Sequence, residues 1–317
     1  MTNAFVAVVG CGYWGKNLAR NFAQLGALRA IVDPDEKAAK NHATTHGVIA
    51  ISMEQALADP RIKALAIAAP AELHKTLAIQ GIEAGKHVFV EKPLALTVPD
   101  GEAMAASSVK HGRVLMVGHL LQYHPAFQKM LQLVHSGEFG NIRYAYSNRL
   151  STGKFRLEEN ALWSLAPHDF SMLLALLDEE PTTVTGSGGA WVTEGVEDMF
   201  RVDMNFASGR KAHIFASWLH PFKEQKLVVV METGMLVFED SQPEPRKKLA
   251  LYRHTISTTD GTPTPNKADV EYVEFNINAE PLKEECRHFV QCCIDGNKPK
   301  TDADEALRVL RALVAAG

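Results

Sequence analysis

FVAVVGCGYWG, residues 5–15, decides the fold. Phe5 to Val9 is an apolar run of the right length for one buried strand. Glycines follow at positions 10, 12 and 15, and a helix-compatible stretch then runs to Leu25 before Gly26. Alone, G-x-G-x-x-G is a weak signal. Between a strand and a helix it gains a mechanism. Gly10 permits the tight turn, Gly12 lets the backbone approach a pyrophosphate, and Gly15 lets the helix pack on the strand. Tyr13 and Trp14, inside the loop, are counted with them as cofactor-binding residues. The helix N-terminus adds free N–H groups and a partial positive charge. Asp33 closes the next apolar run, Leu28 to Val32. It is placed to accept hydrogen bonds from an adenosine ribose, where a 2′-phosphate would meet a like charge. The pattern therefore predicts NAD as cofactor, in preference to NADP.

Outward from this loop the chain alternates strand and helix. Helices are expected at Asp35 to His46 with Gly47 as cap, from a Ser52/Gln55 capping box through Ala58, at Glu72 to Ala84, and up to His111. Strands are expected at Ala64 to Ala68, His87 to Val90 and Val114 to Val117. Repeated βα units imply a doubly wound parallel sheet with helices on both faces. After Gly118 the pattern changes. Pro125 to Ser136 reads as helical and Ala161 to Leu177 contains a helix. From Thr182 to Phe275 period-two alternation dominates, with a hairpin turning at Ser208-Gly209, the mark of an open, mainly antiparallel sheet. Residues 241–268, rich in Pro, Thr, Lys and Asp, read as a long surface excursion. Helices near Pro281 to Ile294 and Asp302 to Ala316 close the chain. The expectation is an α/β protein: a Rossmann domain over residues 1–118 and an α/β domain over 119–317.

Two strand ends of the first domain carry chemistry. In VFVEKPLAL, residues 88–96, an apolar strand stops at Glu91, Lys92 and Pro93. A lone lysine there is most often a solvated strand end. Ligands of a parallel sheet, however, bind outside the carboxyl ends of its strands. AAPAELH, residues 68–74, ends the neighbouring strand in the same way. Ala69, Pro70, His74, Glu91 and Lys92 are therefore expected around the nicotinamide half of the cofactor.

The bulk numbers narrow the classes. The chain has 317 residues, 46% hydrophobic and 22% charged, with a formal net charge of −4. That balance argues against an electrostatic nucleic-acid binder. No apolar run approaches the roughly 18 residues of a membrane helix, and the N-terminus enters a strand with no basic n-region. The four cysteines, Cys11, Cys286, Cys292 and Cys293, form no C-x-x-C and read as reduced thiols of a cytoplasmic protein. His42 and His46 lie four apart, but no third ligand is near, so no metal site is expected.

GCGYWG, Asp33, AAPAELH, EKP and the later LVHSGEFGNI together resemble the glucose–fructose oxidoreductase/inositol dehydrogenase family, and the resemblance spans almost the whole chain. It implies a nicotinamide-dependent oxidoreductase of sugars, polyols or related carbonyl compounds, with Lys92 as the catalytic acid/base. It also implies a second domain whose open sheet serves oligomerisation, hence a homodimer or homotetramer. The stretches VGHLLQYHPA and YSNRLSTGKFRLEENALWSLAPHD are similar to dehydrogenases of bacterial surface-polysaccharide pathways, which act on nucleotide-linked sugars. On that likeness Tyr123, His124, Arg149, Asn160, Trp163 and Ser164 are substrate-side candidates. Each has a plainer alternative: a core tryptophan, a strand-ending arginine, a histidine flanking a helix. Family members carry an Asp and a His four apart at the start of one helix. Here the histidine is His168, a second catalytic candidate, and Ser164 stands in the place of the Asp. Asp169 points about 100° away on a helix and is no obvious substitute. The readings left open are a nucleotide-sugar dehydrogenase, a dehydrogenase of free polyols or inositol, and a non-catalytic NAD-binding sugar sensor. The resemblance also implies a cis Lys92–Pro93 bond. One face of the later strands is unusually apolar, as at Phe200, Val202, Met204 and Phe206, which fits an exposed patch and an oligomer.

Overall fold

A computed structural model describes residues 4–152, 155–157, 159–258 and 261–317. The chain divides into two compact units. The first holds the residues up to Tyr123 together with Glu280–Leu310; the second holds His124–Ala279 and Arg311–Gly317.

The first unit opens with β1 (Val6–Val9), α1 (Tyr13–Gln24), β2 (Leu28–Val32), α2 (Glu36–His46) and β3 (Ile49–Ala50). It continues with α3 (Met53–Ala58), β4 (Ala64–Ile67), α4 (His74–Glu83), β5 (His87–Val90), α5 (Val98–His111) and β6 (Leu115–Val117). Local chemistry sets the boundaries. Asp35 caps α2 by accepting from the N–H groups of Lys37 and Ala38, and Gly47 ends it at φ +65°. Ser52 and Gln55 form the expected capping box on α3. The segment expected as one helix from Glu72 begins as a 3₁₀ turn at Ala71–Leu73 and becomes α-helical only at His74. The six strands are parallel in the order β3-β2-β1-β4-β5-β6. The strand order reverses between β1 and β4, which opens a crevice at their carboxyl ends.

The second unit follows with α6 (Pro125–His135), β7 (Ile142–Thr152), α7 (Ala161–Leu165), α8 (Pro167–Leu177), β8 (Pro181–Gly189), β9 (Met199–Phe206), β10 (Lys211–Ser217) and β11 (Leu219–Met231). Next come β12 (Met235–Glu239), β13 (Leu249–Tyr252), β14 (Thr255–Ser257), β15 (Thr264–Asn266) and β16 (Val270–Tyr272). Eight strands run in the order β16-β13-β12-β11-β7-β10-β9-β8, antiparallel throughout except for the β7–β10 pair; β14 and β15 pair separately. Gly209, at φ +85°, turns the β9–β10 hairpin where expected. The chain closes with α9 (Pro281–Asp295) and α10 (Ala303–Ala316).

Three expectations need correction, and one, the third below, gains detail. First, the second domain does not take everything after residue 118. The stripe Leu282, Cys286, Phe289 and Val290 of α9 joins the core of the first unit, where Phe289 meets Phe22 and Phe89 edge-on. Burying that stripe assigns the helix. Second, residues 241–268 are not wholly a surface excursion, because Leu249, Ala250 and Leu251 are buried in β13, inside the sheet. Third, Ala161 to Leu177 is two helices. Pro167 has no N–H to continue the ladder, and the N–H groups of Asp169 and Phe170 both turn to the Ala166 carbonyl. Fourth, Phe200, Val202, Met204 and Phe206 are buried, and the alternating residues of β9 are Arg201, Asp203 and Asn205. At mid-sheet the strand face turned away from α8 is apolar, with Tyr144 43% exposed and Val228 and Val230 buried. Ser147 points toward α8 and bonds Asp169, so Tyr144 and Tyr146 face the other way. Register sets Val228 and Val237 beside Tyr146, and Val230 and Met235 beside Tyr144.

Candidate active site

At the end of β1 the backbone is shaped for an anion. Gly10 sits at φ +94°, and a Cβ there would lie 2.7 Å from the Ala68 carbonyl oxygen. A Cβ on Gly15 would overlap the Gly10 carbonyl, whereas one on Gly12 would meet nothing within 4 Å. Gly10 and Gly15 are thus required by the fold, and Gly12 keeps an approach to the backbone open. α1 starts at Tyr13 with Gly12 as N-cap, with no side-chain cap and no acidic residue in its first turn. Its amide end is left to a ligand, which fits the pyrophosphate of NAD. Tyr13 is exposed, with the Lys16 ammonium 5.1 Å from its ring centre; Trp14 packs edge-on to it and against the core.

Asp33 does more than end β2. One carboxylate oxygen accepts from the Cys11 N–H at 2.6 Å and the other from the Asp35 N–H at 2.9 Å. It ties the glycine loop to the β2 end, and lone pairs remain for a ribose hydroxyl. Burial, and then the Asp33 charge, push the Cys11 thiol up to about 12, so it stays protonated.

The end of β5 holds the EKP turn. The Glu91 N–H donates to the Ile67 carbonyl, and the Lys92–Pro93 peptide is cis, as expected. The Glu91 side chain is buried. Burial pushes its pKa up to about 7, against the pull of the Lys92 charge, the Lys92 backbone N–H and His119. Glu285 on α9 is buried too, and neither carboxyl oxygen has a hydrogen-bond partner among the described residues. Burial and the Glu91 charge hold it well above the carboxylate range. His119, just past β6, bonds Glu305 at 2.7 Å.

Ala69 and Pro70 follow β4 as expected. The His74 ring is 1% exposed, with Nδ1 2.8 Å from the Pro93 carbonyl oxygen and Nε2 3.0 Å from that of Ala69. Both ring nitrogens thus face carbonyl oxygens of the protein.

Of the substrate-side candidates, Tyr123 belongs to the first unit. Its hydroxyl pairs with Thr301 at 3.0 Å, and its ring lies 5.4 Å from that of His288. The others lie in the second unit, where two share a network. Arg149 pairs with the buried Asp169, which also accepts from Ser147. With its amide oriented to satisfy both neighbours, Gln225 accepts from Arg149 and donates to Asp240, each at 3.3 Å. Asp240 in turn meets His124 Nε2 at 3.4 Å and Lys248 at 2.6 Å. Burial alone would raise the Asp240 carboxyl, but its bonds to His124 and Lys248 outweigh burial and hold it well below the usual range. His124 Nδ1 also caps α6 by accepting from the Ala126 N–H. Asn160 caps α7 and donates to Glu197 at 2.9 Å. The Trp163 indole donates to the Gly317 carbonyl. Ser164 and His168 are half-buried on either side of the Ala166–Pro167 break. Asp169 is spoken for by Arg149, in keeping with the expectation that it does not replace the missing acid.

Sequence reading missed Glu285 and Asp240. Glu285 had a signal, since it occupies an apolar position in the stripe Leu282, Cys286, Phe289 and Val290. Asp240 had none, because its partners are distant in the chain.

Comparison with known proteins agrees with this geometry. Residues 5–119 match the oxidoreductase family GFO_IDH_MocA, NAD-binding Rossmann fold, and residues 127–237 match the GFO/IDH/MocA C-terminal domain. UDP-N-acetylglucosamine 3-dehydrogenase of Acidithiobacillus ferrooxidans is 30% identical over 68% of this chain and 68% of its own. A crystal structure of that enzyme covers 100% of this chain and 97% of its own, with TM-score 0.85 at 24% identity. The scyllo-inositol 2-dehydrogenase (NAD(+)) of Bacillus subtilis is 26% identical over 96% of this chain and 90% of its own. GenD2 from gentamicin A biosynthesis, crystallised in complex with NAD, aligns with TM-score 0.84 at 25% identity, over 100% of this chain and 93% of its own. With a glycine loop, an uncapped helix end and an EKP turn on one parallel sheet, the chain belongs to the GFO/IDH/MocA family and is an NAD-dependent oxidoreductase.

Proposed function

We propose that the protein is a dehydrogenase or reductase of a sugar, most consistent with a nucleotide-linked one, acting at a ring carbon that bears a hydroxyl. The observation that carries this reading is Lys92 on the EKP turn, at the carboxyl edge of the NAD-binding sheet. NAD, when bound, accepts or returns the hydride. Gly10, Gly12 and Gly15 with the α1 amides would hold its pyrophosphate, and Asp33 its ribose. Lys92 takes the hydroxyl proton in oxidation and returns it in reduction. His168 assists or orients that hydroxyl. Ser164, standing where relatives of this kind have an acid, offers a hydrogen bond without a charge, so more of the burden falls on Lys92 and His168. Holding the reacting carbon and the hydride carbon about 3–3.5 Å apart supplies much of the remaining rate.

The UDP-N-acetylglucosamine 3-dehydrogenase relative supports a nucleotide sugar. The inositol dehydrogenase relative, which matches nearly the whole chain, supports the second reading, a free polyol. The two part in a direct assay: NAD with a panel of UDP-sugars, free hexoses and inositols, followed by absorbance of NADH. Turnover confined to UDP-sugars supports the first reading, turnover with inositols the second, and no turnover with any defeats both. The same reading places the protein in the cytoplasm, which four unpaired cysteines fit. It also makes it a homodimer or homotetramer. Among the described residues no helix is long and apolar enough to cross a membrane.

A further inference from the structure

The His74 ring lies between two carbonyl oxygens that belong to different strand ends. Pro93 is the residue after Lys92 on the turn leaving β5, and Ala69 lies on the loop leaving β4. The contacts are 2.8 and 3.0 Å, and both are within hydrogen-bond range. A carbonyl oxygen can only accept. An imidazole with one ring proton donates to one of these oxygens; with two it donates to both. Burial pushes the ring's pKa down, while the bonds to Pro93 and Ala69 and the charge of Glu72 pull it back. His74 is also the first residue of α4, so its backbone is fixed by a helix while its side chain reaches the two loops.

The β4–β5 ladder ends at Ile67 and Val90, with one further bond from the Glu91 N–H to the Ile67 carbonyl. Beyond that point the sheet no longer holds the turn. His74 is placed to hold it. We propose that His74 is a positioning residue: with its backbone fixed at the start of α4, the ring donates to one of the two carbonyls, to that of Pro93 at 2.8 Å in the tautomer protonated at Nδ1, and so ties the turn that carries Lys92 and fixes where the Lys92 amine departs. The proposal rests on the reading of Lys92 as the proton-transfer group. It adds a residue that touches neither substrate nor cofactor. A displacement of about 1 Å in a reacting group can cost about 10²-fold in rate, so loss of the tie would be felt in turnover before it is felt in cofactor binding.

The test uses the full chain with His74→Leu, which keeps bulk without a donor, and His74→Gln, whose amide can donate to one carbonyl. Hydrogen–deuterium exchange of the peptide covering residues 88–96 needs no substrate. It is expected to speed up on the order of tenfold in His74→Leu and less in His74→Gln, with the β1 peptide unchanged. With whichever sugar the wild type oxidises, kcat should fall about 10- to 100-fold in His74→Leu, recover in part in His74→Gln, and leave the NAD dissociation constant within about threefold. If His74→Leu does not fold, His74→Gln against wild type carries the comparison. Unchanged exchange at 88–96 beside an active wild type overturns the tie and spares the role of Lys92. Faster exchange with a wild type that turns over no sugar supports the tie and defeats the role of Lys92.

Discussion

The guanidinium of Arg149 holds Asp169 through two hydrogen bonds, Nε to Oδ2 at 2.6 Å and Nη2 to Oδ1 at 3.1 Å, and the Asp169 side chain is fully buried. The pair joins β7 to α8. Removing one member leaves the other charge buried and alone, which typically costs about 3–5 kcal/mol. Asp169→Leu and Arg149→Met are each expected to lower the unfolding free energy from urea titration by that order. The double variant should lie closer to wild type than either single one. Singles within about 0.5 kcal/mol of wild type would show that the pair does not matter to stability.

The glycine loop separates folding from binding. Gly12→Ala puts a methyl into open space at φ −63°, so thermal stability should change by no more than about 0.5 kcal/mol. NAD affinity should nonetheless drop, because the methyl stands where the backbone must meet a pyrophosphate. Gly15→Ala drives a Cβ into the Gly10 carbonyl and should lower stability as well as affinity. Calorimetry with and without NAD reads both quantities. Equal effects of the two substitutions on stability would contradict the assignment.

Glu91 gives stability a pH dependence. Its folded-state pKa is raised from 4.5 to about 7 by burial, so between those values the folded protein holds a proton that the unfolded chain has lost. Stability therefore falls as pH rises from about 4.5 to about 7 and levels off above, with up to ~3 kcal/mol at stake. Glu91→Gln removes this contribution. The difference in unfolding free energy, variant minus wild type, should grow with pH across that window. A difference that stays flat would contradict the buried, proton-holding carboxyl.

The face of the eight-stranded sheet that carries Tyr144 bears on assembly. Tyr144 is 43% exposed there, and Tyr146 stacks on His213 at 5.0 Å. Light scattering should give a multiple of the chain mass for the wild type. Val237→Glu, which puts a charge beside Val228 and one strand away from Tyr146, should lower that multiple. A monomeric wild type at micromolar concentration would remove the claim.

Much of this was legible in the sequence because it rests on local rules. Gly47, Ser52 with Gln55, and the hairpin at Gly209 sit where capping and turn chemistry put them. The parallel sheet followed from repeated βα units and the Gly10–Gly15 loop. What the sequence hid depends on distant partners. α9 follows a long β region in the chain yet joins the first unit, because its apolar stripe fits against Phe22 and Phe89. β13 is hidden in a polar stretch because only three of its residues, Leu249 to Leu251, are fully buried. The place of His74 in AAPAELH suggests a cofactor contact. That its ring nitrogens face the Pro93 and Ala69 carbonyls is set by two loops meeting in space.

The role of Lys92 is tested most directly by Lys92→Met, with NADH formation and NAD binding measured on the same preparation. In the proposed function NAD is held by the glycine loop and Asp33, whereas the amine acts on the substrate hydroxyl. The account predicts a fall in kcat of about 10²–10⁴-fold with the NAD dissociation constant nearly unchanged. Turnover that survives Lys92→Met undiminished would contradict it.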